Sequence, residues 1–156
     1  MIKAVRIDHR LVHGQVAFSW TKFLEVDCIL VASDSLMKDE LKISAMRMAR
    51  PTGVKLVMKN IEDSIKALNS GVTDKYKLFI IVESINDAYS LAKNVPAIKA
   101  INIGGMLSKP DRREISKAVF ISEEDEKKIR ELNADGIEQY VQLVPSDTKK
   151  DVMNLL

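Results

Sequence analysis

Along the chain, short runs of Val, Ile and Leu alternate with stretches in which apolar residues recur every three or four positions. Continuous apolar runs suit strands buried on both faces, and the longer period suits helices that bury one stripe. Strands are therefore expected at Ile2–Ile7, Asp27–Ala32, Val54–Met58, Lys77–Val82, Ala100–Ile103, Ser116–Ile121 and Gln139–Val144. Between the first two, Val16, Trp20, Phe23 and Leu24 fall on one helical face and form a core stripe. A second helix is expected over Met37–Ala49, with Leu41, Ala45 and Met48 as its inward face and Pro51 and Gly53 ending it. Asn60, Ser84 and Ser122 can each cap a further helix, with Asp63, Asp87 and Asp125 three residues on. The stretch "EEDEKKIRELNAD" is a solvated helix face closed at Gly136, and a last helix from about Ser146 would bury Val152 and Leu155. Strands alternating with helices predict an α/β fold, a mainly parallel sheet with helices on both faces, in a single domain over residues 1–156.

Composition narrows the class without changing that picture. A chain of 156 residues, 46% apolar and 29% charged, is enough for one core that buries roughly two thirds of the unfolded surface. No apolar run approaches the ~18 residues of a membrane helix. Charge also comes too early in "MIKAVRIDHR" for a secretory signal. The single cysteine, Cys28, sits in the run "DCILVA" and is expected to be a small buried hydrophobe rather than a nucleophile. These features point to the cytoplasm. The 24 basic and 22 acidic residues nearly cancel and aromatics are 5%, so the basic stripe of a nucleic-acid binder is missing.

The stretch "IDHRLVHGQV", Ile7 to Val16, holds both histidines and joins the first expected strand to the first expected helix. In a parallel sheet, loops leaving the strands' carboxyl ends line the ligand crevice, where helix amino termini favour anions. A helix beginning near His13 or Gly14 would aim the amides of Gly14, Gln15 and Val16 outward, and Gly14 would admit close approach of a ligand. Arg10 adds a planar fork suited to carboxylate or phosphate. An imidazole beside an anion pocket suggests phosphoryl transfer, because a neutral ring nitrogen attacks phosphorus without a separate base. On residues alone, a merely structural, hydrogen-bonded histidine carries equal weight.

Other chemistries lose support. His9 and His13 have the i, i+4 spacing of a zinc pair, but the protease glutamate is missing and Arg10 would repel a cation, so no metal is expected. The third strand reads "VKLVMKN" and offers no aspartate of the kind a receiver domain phosphorylates. No glycine-rich dinucleotide or nucleotide loop follows a strand, so no cofactor is expected. "NIGGMLSKPDRR" fits a plain turn, a second wall of the crevice, or, through Lys109, Arg112 and Arg113, a docking patch for an acidic partner.

"RIDHRLVHGQV" resembles the signature loop of the phosphotransferase-system (PTS) IIB components of the mannose, fructose and sorbose family, approximately R-I-D-x-R-L-x-H-G-Q-V. The likeness continues through "VASDSLMKDELKISAMRMARPTGVKL", "AINIGGM" and "AVFISEEDEKKIRELNADGIEQYVQLVPSD". It implies a cytoplasmic phosphoryl carrier, associated peripherally with a membrane permease. Such a carrier takes phosphate from a IIA protein and passes it to a sugar handled by the IIC and IID subunits. It implies an open seven-stranded sheet with an antiparallel edge strand. Residue by residue, the phosphorylated histidine corresponds to His13 and the phosphoryl-contacting arginine to Arg10. Asp8, Gly14 and Gln15 correspond to the pocket-shaping loop; Arg6 also matches, and His9 fills the variable position. Two rivals remain compatible with the residues: a module that senses a phosphosugar without covalent chemistry, and a phosphatase using His13 as nucleophile. A homodimer through the amphipathic helices is a further arrangement the pattern allows.

Overall fold

The computed structural model describes residues 1–156. Strands β1 (Ile2–Ile7), β2 (Cys28–Ala32), β3 (Lys55–Lys59), β4 (Leu78–Val82), β5 (Ala100–Ile103), β8 (Glu138–Val141) and β9 (Lys150–Asp151) build one sheet. Their order is β3-β2-β4-β1-β5-β8-β9, parallel up to β8 and antiparallel at the β9 edge. All five residues of β2 (CILVA) and of β4 (LFIIV) are buried, the composition of inner parallel strands covered on both sides.

Helices α1 (Gly14–Leu24) and α2 (Glu40–Met48) cover one face through Ala17, Trp20 and Met46. Helices α3 (Ile61–Ser70), α4 (Ile85–Asn94) and α5 (Glu123–Ala134) cover the other through Leu68, Ala88, Leu91, Ile129 and Leu132. The three expected caps form: Asn60, Ser84 and Ser122 accept from the amides of Asp63, Asp87 and Asp125 at 2.7, 3.1 and 3.1 Å. Each is worth about 1 kcal/mol. Cys28 is buried at the start of β2, as expected.

Several expectations are corrected. The main sheet has the expected seven strands, but the chain has nine strands in all, and one of the seven expected lies outside that sheet. Ser116–Ile121 is not one strand of the sheet; β6 (Arg113–Ser116) and β7 (Val119–Ile121) form a separate antiparallel hairpin. The chain reverses there because Ala118 takes a left-handed φ of 65°, a turn that alanine does not announce. The seventh strand is β9, in the stretch expected to be helical. Val152 is buried as foreseen, but in a single 3-10 turn, Val152–Asn154, after the edge strand pairs with β8.

The helix expected over Met37–Ala49 is divided. A 3-10 turn, Leu36–Lys38, precedes α2, and Asp39 caps the new start by accepting from the Lys42 amide at 3.0 Å. Its face is also reversed: Met46 is buried and Ile43 half-buried, while Leu41 and Met48 are 84% and 88% exposed and Ala45 is exposed. Both sets of residues have helical spacing, so the period alone did not select the phase. In α1 the expected stripe holds for Trp20, and partly for Val16 and Leu24, whereas Phe23 is 62% exposed.

Candidate functional site

The site is assembled where β1 ends. The Asp8 amide donates to the Val82 carbonyl at 2.8 Å, so the loop leaves the sheet only after that residue. A turn follows in which the Leu11 amide returns to the Asp8 carbonyl at 2.9 Å. Leu11 is buried and holds φ 59°, a left-handed conformation that costs on the order of 1 kcal/mol and marks an over-determined loop. His13 then stands at the N-cap of α1 in extended conformation, and no side chain caps that helix end. The first-turn amides of Gly14, Gln15 and Val16 are thus the unsatisfied donors anticipated from the sequence, with the positive end of the helix dipole behind them. Gly14 has φ +40° and nothing within 4 Å of where a Cβ would lie, so the approach is open.

The buried centre of the loop is the Asp8 carboxylate, 1% exposed. Its Oδ2 accepts from His13 Nε2 at 3.0 Å and from Arg6 Nη2 at 3.2 Å. Its Oδ1 accepts from the Arg10 amide at 3.0 Å, with Arg10 Nε 3.6 Å away. Burial pushes the Asp8 carboxyl up, but hydrogen bonds from His13 and the Arg10 amide, with the Arg6 charge, prevail and hold it below the usual carboxylate range. Asp8 is an anion and can only accept, so a neutral ring keeping this bond would hold its proton on Nε2 and leave the Nδ1 lone pair free.

Arg6 is 2% exposed. Its Nη1 donates to Asn102 Oδ1 at 2.5 Å and to the Gln142 carbonyl at 3.1 Å, and its Cζ lies 5.2 Å from the Trp20 ring centre. Asn102 Nδ2 shares the Gln142 carbonyl at 3.0 Å. Burial lowers the Arg6 guanidinium while the Asp8 carboxylate opposes the shift.

All the expected site residues therefore meet in one loop. Asp8 is buried beneath it, His13 is 21% exposed, the Arg10 side chain is 49% exposed, and Gly14 and Gln15 lie open at the helix start. His9 is not bonded into this cluster: its amide donates to the Gly105 carbonyl at 2.9 Å, and its Nδ1 is buried without a partner. Arg112 and Arg113 are not free to ring the crevice. Arg112 donates to the Leu107 carbonyl at 2.9 Å, and Arg113 is paired with Glu126 of α5. Asn102 and Gln142 escaped the sequence reading, since they lie 96 and 136 positions from the first arginine of the motif they support. A buried arginine on a central strand was the available signal that polar partners must exist.

Comparison with known proteins now decides the family. The family described as PTS system sorbose subfamily IIB component matches residues 2–156. The chain belongs to that family. A protein named "Probable phosphotransferase enzyme IIB component" from Streptococcus pyogenes is 35% identical, over 100% of this chain and 99% of its own length. The fructose-specific EIIB component of Bacillus subtilis is 31% identical, over 99% of this chain and 95% of its own. The crystal structure of the IIBSor domain of the Klebsiella pneumoniae sorbose permease superimposes with a TM-score of 0.95 at 27% identity, covering 99% of this chain and 95% of that one. The IIB component is thus a phosphoryl carrier of sugar transport on a fold shared with solved IIB domains. No helix is long and apolar enough to cross a membrane.

Proposed function

We propose that this IIB component carries its phosphoryl group on Nδ1 of His13, receives it from a phosphohistidine of a IIA protein, and passes it to a sugar held by IIC and IID permease subunits. The observation that carries this reading is the bond from His13 Nε2 to buried Asp8, at a helix start that no side chain caps. The Nδ1 lone pair attacks phosphorus, the donor's N–P bond breaks, and its electron pair returns to the donor ring. The His13 ring keeps its Nε2 proton and becomes positive as the new N–P bond forms. Asp8 stabilises that charge from 3.0 Å.

The equatorial phosphoryl oxygens meet the open amides of Gly14, Gln15 and Val16 and the Arg10 fork, groups whose charge is already in place before transfer. Because one N–P bond replaces another, the exchange between carriers is nearly isoenergetic and reversible. The complexes are transient, the carrier working in the cytoplasm and at the permease's cytoplasmic face.

The test supplies phosphoenolpyruvate, the general phosphotransferase proteins and a cognate IIA. The expected result is an acid-labile, base-stable label on the wild type and on His9→Ala, and none on His13→Ala. A label retained by His13→Ala overturns the assignment. Release of phosphate within seconds from the isolated phosphoprotein, without sugar or permease, replaces the carrier by a phosphatase.

A further inference from the structure

The carrier reading leaves three features without a role: a fully buried arginine behind the nucleophile, the paired glycines after β5, and the buried amide of Asn102. They occupy one place. The Arg6 guanidinium is bonded to Asn102, to the Gln142 carbonyl and to Asp8, and it lies against Trp20. A Cβ on Gly104 would overlap Cζ, Nη1 and Nη2 of that guanidinium together. A Cβ on Gly105 would come within 3.3 Å of Asp8 Oδ1 and 3.4 Å of His9 Nδ1. The glycine pair is thus the roof of the charge cluster, and its lack of side chains lets the backbone of the β5 loop close on it. The Gly104 amide donates to the Ile7 carbonyl at 2.9 Å and holds that roof to β1.

We propose that Arg6, held under Gly104 and anchored by Asn102, is the positioning residue of the phosphoryl site: it fixes Asp8 so that a neutral His13 presents Nδ1. This rests on the carrier reading. An aspartate alone beside a histidine orients the ring but also draws it toward the imidazolium, whose nitrogens are both protonated and cannot attack. A guanidinium sharing the same carboxylate oxygen offsets part of that attraction and keeps the direction, leaving Asp8 enough negative charge to stabilise the ring once the N–P bond forms. Orientation and protonation are thereby separated.

Arginine is required over lysine because the cluster asks for a rigid fork that meets three acceptors in fixed directions. Nor does stability explain the pair, since an apolar pair of similar volume usually serves a core as well as a buried ion pair. Arg6 touches no phosphoryl oxygen in this scheme. It acts through Asp8.

The test uses the full chain and the variants Arg6→Lys, Gly104→Ala and Asn102→Ala. The readouts are the ¹⁵N shifts of the His13 ring, the kcat and KM for phosphoryl acceptance from phospho-IIA, and thermal melting. In the wild type, the neutral ring is expected in the Nε2–H form. Arg6→Lys and Gly104→Ala are expected to mix the tautomers and lower kcat about tenfold or more, with KM for the donor unchanged because the docking surface is intact.

Gly136→Ala, strained at φ +85° beyond the end of α5, is the control for destabilisation alone. It should melt lower and accept phosphate at the wild-type kcat. If Arg6→Lys and Gly104→Ala do not fold, Asn102→Ala decides, since it removes one acceptor and keeps both charges. A folded variant of the three with wild-type tautomer and kcat overturns the positioning role while the carrier stands. Variants that change the His13 tautomer, in a protein whose wild type takes no label on His13, overturn the carrier and leave the orientation of the ring by Arg6 in place.

Discussion

Two clusters of hydrogen-bonded charge stand at opposite ends of a scale of burial. On the surface, Lys93 of α4 lies 2.9 Å from Glu131 and 2.7 Å from Asp135, while the Tyr89 hydroxyl donates to Glu131 at 2.6 Å. At the end of β1, Arg6, Asp8 and His13 make bonds of similar length, but Arg6 and Asp8 are 2% and 1% exposed. Bond geometry alone would rank them alike. Water separates them: the surface groups are solvated whether or not they pair, so pairing adds little. The buried groups have lost that solvation and depend on one another. A surface network can therefore drift without consequence, whereas the buried one fixes directions, as the proposed role of His13 requires.

The sharpest way to break this contrast is Asp8→Asn. It keeps the shape and removes the charge that balances Arg6, so a loss of about 3 kcal/mol in urea unfolding is expected, together with phosphoryl acceptance slowed at least ~100-fold. Wild-type stability would show that burial does not make this cluster interdependent. Acid should act on the same group. Asp8 titrates lower in the folded chain than in the unfolded one, so its stabilisation is present above about pH 4 and is lost as pH falls through the lower, folded value. Asp8→Asn should flatten that part of the acid-unfolding curve.

Next in size is Arg10→Lys. The half-exposed fork carries no fold, so melting should be unchanged while transfer slows about tenfold; equal rates would place Arg10 with the surface charges.

Asp87 sharpens the comparison from between the two extremes. Burial, together with the charges of Glu83 and Asp34, pushes its carboxyl up to about 6. The folded chain then binds a proton that the unfolded chain releases near pH 4, so stability falls as pH rises through 6. Asp87→Asn should be more stable than wild type at pH 8, by on the order of 1 kcal/mol once its partial exposure is discounted, and nearly equal to it at pH 4. An advantage that does not change with pH would sink this account. Smallest of all is Lys93→Ala, for which melting and phosphoryl acceptance should both stay within scatter of the wild type.

The active loop was legible because its parts are neighbours in sequence. A strand end, a histidine, a glycine and a helix start within Ile7–Val16 place the imidazole and the free amides with no information from elsewhere. The clamp behind it was not legible, because Arg6 finds Asn102 and the Gln142 carbonyl only when β1, β5 and β8 lie side by side. Phase was hidden for a related reason. Leu41, Ala45 and Met48 are as periodic as Ile43 and Met46, and only the position of α2 on the sheet chose which set to bury. At the carboxyl end, Val152 and Leu155 fitted a helix, yet pairing of Lys150–Asp151 with β8 used the preceding backbone for an edge strand.

What the sequence determined by itself is what local physics can enforce: the alternation of strands and helices, the caps at Asn60, Ser84 and Ser122, and a histidine at the mouth of an uncapped helix. Each of these depends on residues within a few positions of one another, where spacing and capping act directly. The tertiary structure alone decided which apolar faces are buried, which seven strands share the sheet, and why two glycines must follow β5. Those outcomes depend on groups brought together across the fold, and only the assembled sheet supplies the desolvation that turns Arg6, Asp8 and His13 from three polar side chains into one device.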